Sequence, residues 1–491
     1  MIEKLSLFSE KIICFLFLLI MSYILLANIK VGMRLPGRCF IGIVIIITYA
    51  VFVKSRTRLE KDSLWYSLDF SRERILLISG IVLGIILKLL PIWCNFEWIL
   101  QDNQDDCAVH FFGAQQLMYD GRLSDANAWY ESIFLQLYPY TFLLSLFLKF
   151  FGNINLAVVF SNILFDSISV FYLSKLLRRL NRKPVMGILV WWLNPFFIVM
   201  CWLPMAIVVV NMLLMITIYL GYCLLQVGCN QSRRLLCTAF AFGFFIFIGN
   251  LFRPLFYVVL IAEIITILLK IMKNSEKWKL SIVAILITII CALLPGNLYR
   301  SSMTELGGYK IPAKQGAWNF FVGANYGTHG AWSPEDWNYF FTIAQKTEYN
   351  YSEVMDILMK EGLQRYSDMI PHIGNHILNK MNILFADVGN SIWNLRWTFQ
   401  ISEEFYSIWS EITTVYYISL IAILFISCLY RFIHKNIPEE TFLIVLTFIG
   451  FSMAYVLVEV MNRYISMLFV PLILILGLLF PYKMVSKSSS S

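Results

Sequence analysis

Apolar runs close to twenty residues long recur along this chain, and no other feature limits its fold so strongly. Backbone in hydrocarbon finds no water to bond to, so only helices and closed barrels cross a membrane. A helix needs about 20 apolar residues for the crossing. Alternation at period two is absent, which removes the barrel. The expected fold is therefore an all-α polytopic membrane protein with about twelve transmembrane helices. The expected spans are 11–29, 38–53, 75–94, 155–177, 184–201, 202–227, 235–250, 253–272, 279–298, 406–430, 440–459 and 463–480. Only 14% of the residues are charged, where soluble domains run near 25%.

Charge orients these spans. The loop 54–74 holds Lys54, Arg56, Arg58, Lys61, Arg72 and Arg74, and such loops stay in the cytoplasm. The net charge of +8 belongs to short basic loops of this kind and does not indicate nucleic-acid binding. The first run, Lys11 to Ala27, lacks an A-x-A-type cleavage site and reads as a signal anchor. Both termini are expected in the cytoplasm, with SKSSSS a disordered tail. The apolar run after Tyr138 is too short to span, so 138–152 reads as an interfacial or half-inserted helix.

Two polar stretches interrupt the pattern. The first, Asn95 to Tyr140, carries Asp102, Asp105, Asp106, Asp120, Asp125 and Glu131 against one basic residue, Arg122. Carboxylates between membrane segments are costly unless they face water or do chemistry. The second, 299–405, is rich in Gly, Asn and Trp, with helical spacing over 333–380, Pro334 near a helix start and Pro371 as a break. Parity puts both outside. Four parts follow: 1–74, two N-terminal spans and a cytoplasmic loop; 75–298, a core with the acidic loop (95–137); 299–405, an extracytoplasmic loop domain; and 406–491, the C-terminal spans and tail. Lys88, inside the third span, should point into the bundle. Trp and Tyr near span ends read as an interfacial belt. The ten cysteines read as small core hydrophobes, with a Cys94–Cys107 link as the one pairing to test. No internal repeat is evident, which counts against a secondary transporter.

Four motifs occur in order. DCAVHFFGAQQL from Asp106 has the form D-x3-[YH]-x3-A-x2-L, and YPYTFLLSLFLKFFG from Tyr138 opens on Y-P-x-Y. NFFVGANYGTHGAWSPED from Asn319 contains N-F-x2-G-x-N and G-x-W-S-P-E. Glu459 to Tyr464 reads E-x3-R-Y, with Pro471 downstream. In this order and topology, over roughly 75–480, the chain resembles the GT-C glycosyltransferases. The branch it looks most like contains the protein O-mannosyltransferases and the aminoarabinose transferases of lipid A. The two spans in front of residue 75 have no counterpart in the family's core.

The resemblance implies an enzyme that takes a sugar from a polyprenyl-phosphate carrier and gives it to a glycan, lipid or protein acceptor outside the plasma membrane. A carboxylate would remove the acceptor's proton, as the base of an inverting glycosidase activates its nucleophile. On spacing to His110 and Ala114, Asp106 is the first candidate, with Asp105 the runner-up. Two alternatives stand beside this. The pair could cap a helix starting near Cys107, or D-x2-D-D could bind a divalent cation. No cofactor is otherwise assigned, and His329, His372 and His376 are too sparse for a metal site. His110 and Tyr138 are candidate substrate contacts. The lipid phosphate would need cations, and Arg253, Arg300, Lys310, Lys314, Arg396 and Arg463 fall near the outer interface, with Tyr464 beside the last. Trp318 and Trp332 could stack on sugar. The rival classes are a polymerase or ligase of polyprenyl-linked glycans, and a transporter or flippase.

Overall fold

The computed structural model describes residues 2–32, 70–101, 105–226, 232–273, 278–307, 311–312, 314–386, 388–433 and 441–478. The expected span 38–53, the basic loop 54–74 apart from its last residues, Asp102, Gln231 of the QSRR turn, residues 274–277 of the KNSEKWK loop, Lys310 and the tail lie outside them. The described chain is helical, with no β-strand.

Twenty-one α-helices are described. They are α1 (Ile2–Gly32), α2 (Phe70–Lys88), α3 (Leu90–Trp93), α4 (Asp106–Tyr119), α5 (Asp125–Ile133), α6 (Tyr138–Phe151) and α7 (Ile154–Arg179). Next come α8 (Pro184–Trp192), α9 (Pro195–Met200), α10 (Ile207–Gln226), α11 (Ser232–Phe252), α12 (Tyr257–Lys273) and α13 (Trp278–Gly307). The polar segment holds α14 (Ala317–Gly323), α15 (Pro334–Lys346), α16 (Tyr351–Met369), α17 (Ile373–Phe385) and α18 (Asn394–Thr398). The chain closes with α19 (Glu403–Ile433), α20 (Phe442–Leu457) and α21 (Ile465–Leu478).

Among the described residues, six helical stretches are long and apolar enough to cross a membrane: Lys11–Asn28, Ile154–Arg179, Ile207–Gln226, Ser232–Phe252, Trp278–Met303 and Glu403–Tyr430. Their composition makes this a membrane-embedded helical protein. The α10 stretch is 83% buried and sits at the bundle centre, whereas that of α13 is 17% buried and turns most of its apolar surface outward. The expected span 184–201 is interrupted. α8 ends at Trp192, and α9 restarts when the Asn194 side chain accepts a hydrogen bond from the Phe196 N–H at 3.0 Å. The expected span 75–94 likewise breaks near Pro91, between α2 and α3. α6 is the short helix expected, ended by Gly152 in the left-handed region.

Lys88 does face the bundle. It is fully buried, and its Nζ donates to Asp166 Oδ2 at 2.6 Å and lies 3.1 Å from the Trp192 ring centroid. Trp191 Nε1 donates to the other Asp166 oxygen at 2.7 Å. Charge inside a membrane bundle persists when it is paired in this way, and the pair ties α2 to α7 and α8.

Backbone bonds bring distant segments together around the acidic loop. Ile99 N–H donates to Thr398 O at 3.1 Å and Gln400 N–H to Glu97 O at 2.9 Å, with an isolated antiparallel bridge between Trp98 and Phe399. On another side, Glu459 N–H donates to Asn319 O at 2.6 Å and Val460 N–H to Gly330 O at 2.9 Å. Gly323 permits that approach, since a Cβ there would lie 2.4 Å from the Val458 carbonyl carbon.

Candidate active site

The two central aspartates are separated by the start of α4. Asp105 is the N-cap, with extended backbone (φ −158°, ψ −178°), and its Oδ1 accepts from the Ala108 N–H at 3.0 Å. Its Oδ2 accepts from Asn394 Nδ2 at 3.1 Å. Both oxygens are engaged, and burial pushes the Asp105 carboxyl above the usual carboxylate range. Asp106, one residue on, opens the helix. Its Oδ2 accepts from Arg463 Nη2 at 2.7 Å and its Oδ1 from the Tyr130 hydroxyl at 3.4 Å. The Asp106 side chain stays 26% exposed, so a small molecule can reach it.

Arg463 comes from the 3₁₀ turn Asn462–Tyr464 that opens α21. Its Nη1 approaches Asn394 Oδ1 at 3.5 Å, so Asn394 bridges the Asp105 carboxylate and the guanidinium. Arg253, in the turn between α11 and α12, lies with its guanidinium 4.1 Å from the Tyr464 ring centroid. Tyr464 stacks on Tyr455 at 5.3 Å, and its hydroxyl donates to Glu459 Oε2 at 3.4 Å. Burial, opposed by Arg463, pushes the Glu459 carboxyl up to about 7.

These groups surround one cavity of about 290 Å³. Asp106, His110, Arg253, Arg463 and Tyr464 line its polar side, with Gln136, Gln315 and Asn319. Met205, Ile207, Val210, Phe252 and Leu255 form an apolar wall. His110 is 1% exposed, and burial, opposed by Asp106, pushes its imidazole down to about 4. It is therefore neutral at physiological pH. Its Nδ1 lies 2.9 Å from Thr141 Oγ1, and that hydroxyl is hydrogen-bonded to Glu131 Oε1 at 2.6 Å.

Of the sequence candidates, Asp106, His110, Arg253, Arg463 and Tyr464 meet at the cavity. Asp105 stands directly behind it as the helix cap. The others are placed elsewhere. Tyr138 does not line the cavity; it is half-buried at the start of α6 and stacks on Phe142 at 6.2 Å. Arg300 is half-buried on α13, away from the lining. Arg396 is exposed, ion-paired with Glu403 and 3.7 Å from the Tyr406 ring centroid. Lys314 pairs with Asp356 at 2.7 Å, both about half exposed. Lys310 lies outside the described residues. Trp318 is 3% exposed among Phe321, Trp337 and Phe340, so its face is used in packing, while Trp332 is 45% exposed. Cys94 and Cys107 are both free, the first exposed and the second buried.

Sequence reasoning passed over Asn394, Tyr130, Thr141, Gln136 and Gln315. Asn319 alone carried a signal, as the first residue of the N-F-x2-G-x-N motif. Among the described residues, no three His, Cys, Asp or Glu side chains converge as metal ligands would. His376 Nε2 instead bonds Gly323 O at 2.9 Å. No protein-family model, no curated protein and no solved structure matches the chain.

Proposed function

We propose that this chain is an integral membrane glycosyltransferase that moves a sugar from a polyprenyl-phosphate donor to an acceptor at the outer face of the plasma membrane. The reading keeps about twelve spans and cytoplasmic termini. Asp106 is the general base, and Arg463 and Arg253 receive the donor phosphate. One observation supports it above others: a single cavity sets an accessible carboxylate beside two guanidiniums and against an apolar wall. That combination suits a substrate with an anionic head and a hydrocarbon tail. Arg is suited to bidentate phosphate contact, and a lipid phosphate leaving group needs cationic donors more than a protonated acid. A phosphate engaging Arg463 competes with Asp106 for the guanidinium. It would free a carboxylate oxygen for the acceptor hydroxyl at the moment the donor is in place.

The same lining supports a second reading. Two arginines and a histidine suit a polymerase or ligase of polyprenyl-linked glycans, which would take an oligosaccharide donor.

Purified protein incubated with a panel of polyprenyl-phosphate sugars should release free lipid phosphate. Loss of a general base costs about 10²–10⁴ in rate, so Asp106→Asn should fall by that factor. Asp105→Asn should stay within about tenfold, because Asn caps a helix about as well as Asp. Turnover only with lipid-linked oligosaccharides would select the second reading. Chelator-sensitive wild-type activity, restored by added cation, would assign the aspartates to a metal. Wild-type rates in both variants would remove the acidic loop from the chemistry.

A further inference from the structure

Behind His110 runs a short chain of buried polar groups that the reaction above does not use. His110 Nδ1 meets the Thr141 hydroxyl at 2.9 Å, and Thr141 meets Glu131 Oε1 at 2.6 Å. Three helices supply the links: α4, α6 and α5. Their approach is close because residue 113 is glycine; a Cβ there would lie 2.7 Å from Thr141 Cγ2. Glu131 is 2% exposed, and its Oε2 is buried without a protein partner among the described residues. His110 lines the cavity.

The Thr141 hydroxyl also lies 3.3 Å from Leu137 O, a longer and weaker contact than those to Glu131 Oε1 and His110 Nδ1, so it donates to one of the two near groups and accepts from the other. The direction of the chain is therefore set at its buried end. Oε2 has no partner among the described residues, so the proton of a neutral Glu131 is satisfied on Oε1, where the acid donates to Thr141 and Thr141 donates to Nδ1. Nδ1 must then be bare, and the ring proton sits on Nε2. Without that proton, Thr141 donates to Glu131 and Nδ1–H donates to Thr141, leaving Nε2 bare. We propose that Glu131, acting through Thr141, decides which nitrogen of His110 carries the ring proton, so that His110 meets the cavity as a neutral donor while Glu131 holds its proton and as an acceptor once it does not. The protons balance. The Glu131 proton passes to Thr141, the Thr141 proton to Nδ1, and the Nε2 proton leaves into the cavity.

Burial pushes the Glu131 carboxyl up to about 8, with the Thr141 hydrogen bond opposing, so the donor form holds at neutral pH. The titratable groups facing Glu131 are Tyr138 of α6 and Tyr299 of α13. Those facing His110 are Asp106 on its own helix, Arg463, and Tyr140, whose ring stands edge-on at 4.8 Å. Glu131 is a positioning residue. In the transferase reading, on which this use rests, the Nε2–H would hold a substrate oxygen or the freed Asp106 carboxylate.

The test is the His110 tautomer in the full-length protein labelled with ¹⁵N-histidine. The chain has five histidines, and loss of a signal in His110→Gln assigns the ring. The wild type should show Nε2–H at neutral pH and pass to Nδ1–H as the pH rises through about 8. Glu131→Gln has no proton to lose, so its His110 tautomer should not change with pH, whichever end of the amide faces Thr141. Thr141→Val, which cuts the chain, should show no tautomer change with pH. Nδ1–H at neutral pH in the wild type, or the same behaviour in all three proteins, overturns the proposal. In the transfer assay, wild-type activity should fall about tenfold per pH unit above that midpoint, the slope of one lost proton. Glu131→Gln should lack this limb. A tautomer that follows Glu131 in a protein that turns over no donor would sink the transferase reading and leave the relay standing. Transfer with an unresponsive tautomer would do the reverse.

Discussion

A helix begins between Asp105 and Asp106, and that boundary gives two identical side chains different surroundings. The cap position turns Asp105 back onto the Ala108 N–H, while the next residue projects Asp106 toward Arg463. The sequence carried both the base and the cap reading for this pair, and only the register of α4 separates them. Arg463 was legible as a cation near a span end. Asn394 was not, because it reaches Asp105 from 289 residues away and no local pattern marks it. Glu131 lay in view as one more acid of the loop. Its burial depends on α5 folding against α4 and α6, which periodicity does not report. Glu131 also makes a stability prediction. Its folded-state value, about 8, exceeds the roughly 4.3 of an exposed glutamate. The folded protein thus keeps a proton that the unfolded chain has released, and this stabilisation is full below the unfolded value and lost as pH rises through about 8. Between those limits the wild type should lose stability relative to Glu131→Gln, by up to about 1.4 kcal/mol per pH unit. Melting curves in detergent at a series of pH values check this; parallel trends for the two proteins would mean that Glu131 is as acidic as a surface glutamate.

At the scale of elements, the turn that carries Arg463 is held by a clip. Lys380 on α17 is 1% exposed, and its Nζ donates to Gly323 O at 2.9 Å and to Val458 O at 2.5 Å. It joins α14 to the junction between α20 and α21, four residues from Arg463's own turn. Burial pushes this amine down to about 7. Lys380→Met keeps an unbranched side chain one atom shorter and strands the buried Val458 carbonyl, at about 1–3 kcal/mol, while Gly323 O keeps its bond to His376 Nε2 at 2.9 Å. A lowered melting temperature, together with weakened donor binding as the Arg463 turn loosens, is the expected result. An unchanged melting temperature would mean that the Val458 carbonyl finds another partner and the clip is dispensable. Nothing in the sequence of α17 announces this role, since a lysine on a half-polar helix ordinarily reads as a surface residue. Helix boundaries show the same limit. The sequence marked α6 as too short to span because length is a local property. It missed the break between α8 and α9 because hydropathy continues through Asn194 and Pro195 while the capping geometry does not.

At the scale of the molecule, the site itself constrains how the chain threads a membrane. Asp105 bonds Asn394 and Asp106 bonds Arg463, so the acidic loop, the polar segment 299–405 and the start of α21 share one side. An even number of crossings must separate each from the next. The spans read from hydropathy meet that condition, with six between the acidic loop and residue 299 and two between residue 405 and Arg463. This agreement is independent of the basic-loop rule, which fixes only which side is which. The two inputs can therefore fail separately. Single cysteines, placed in a background without reactive native thiols, should label from outside intact cells over 100–135 and 305–400 and stay protected over 54–74 and 229–234. Outside labelling of 54–74 with protection of both polar segments would invert the orientation and leave the cavity whole, moving the proposed chemistry to the cytoplasmic face. Labelling of one polar segment and protection of the other would be graver. Asp106 and Arg463 could then not share a cavity, and the site would be dismantled along with its function.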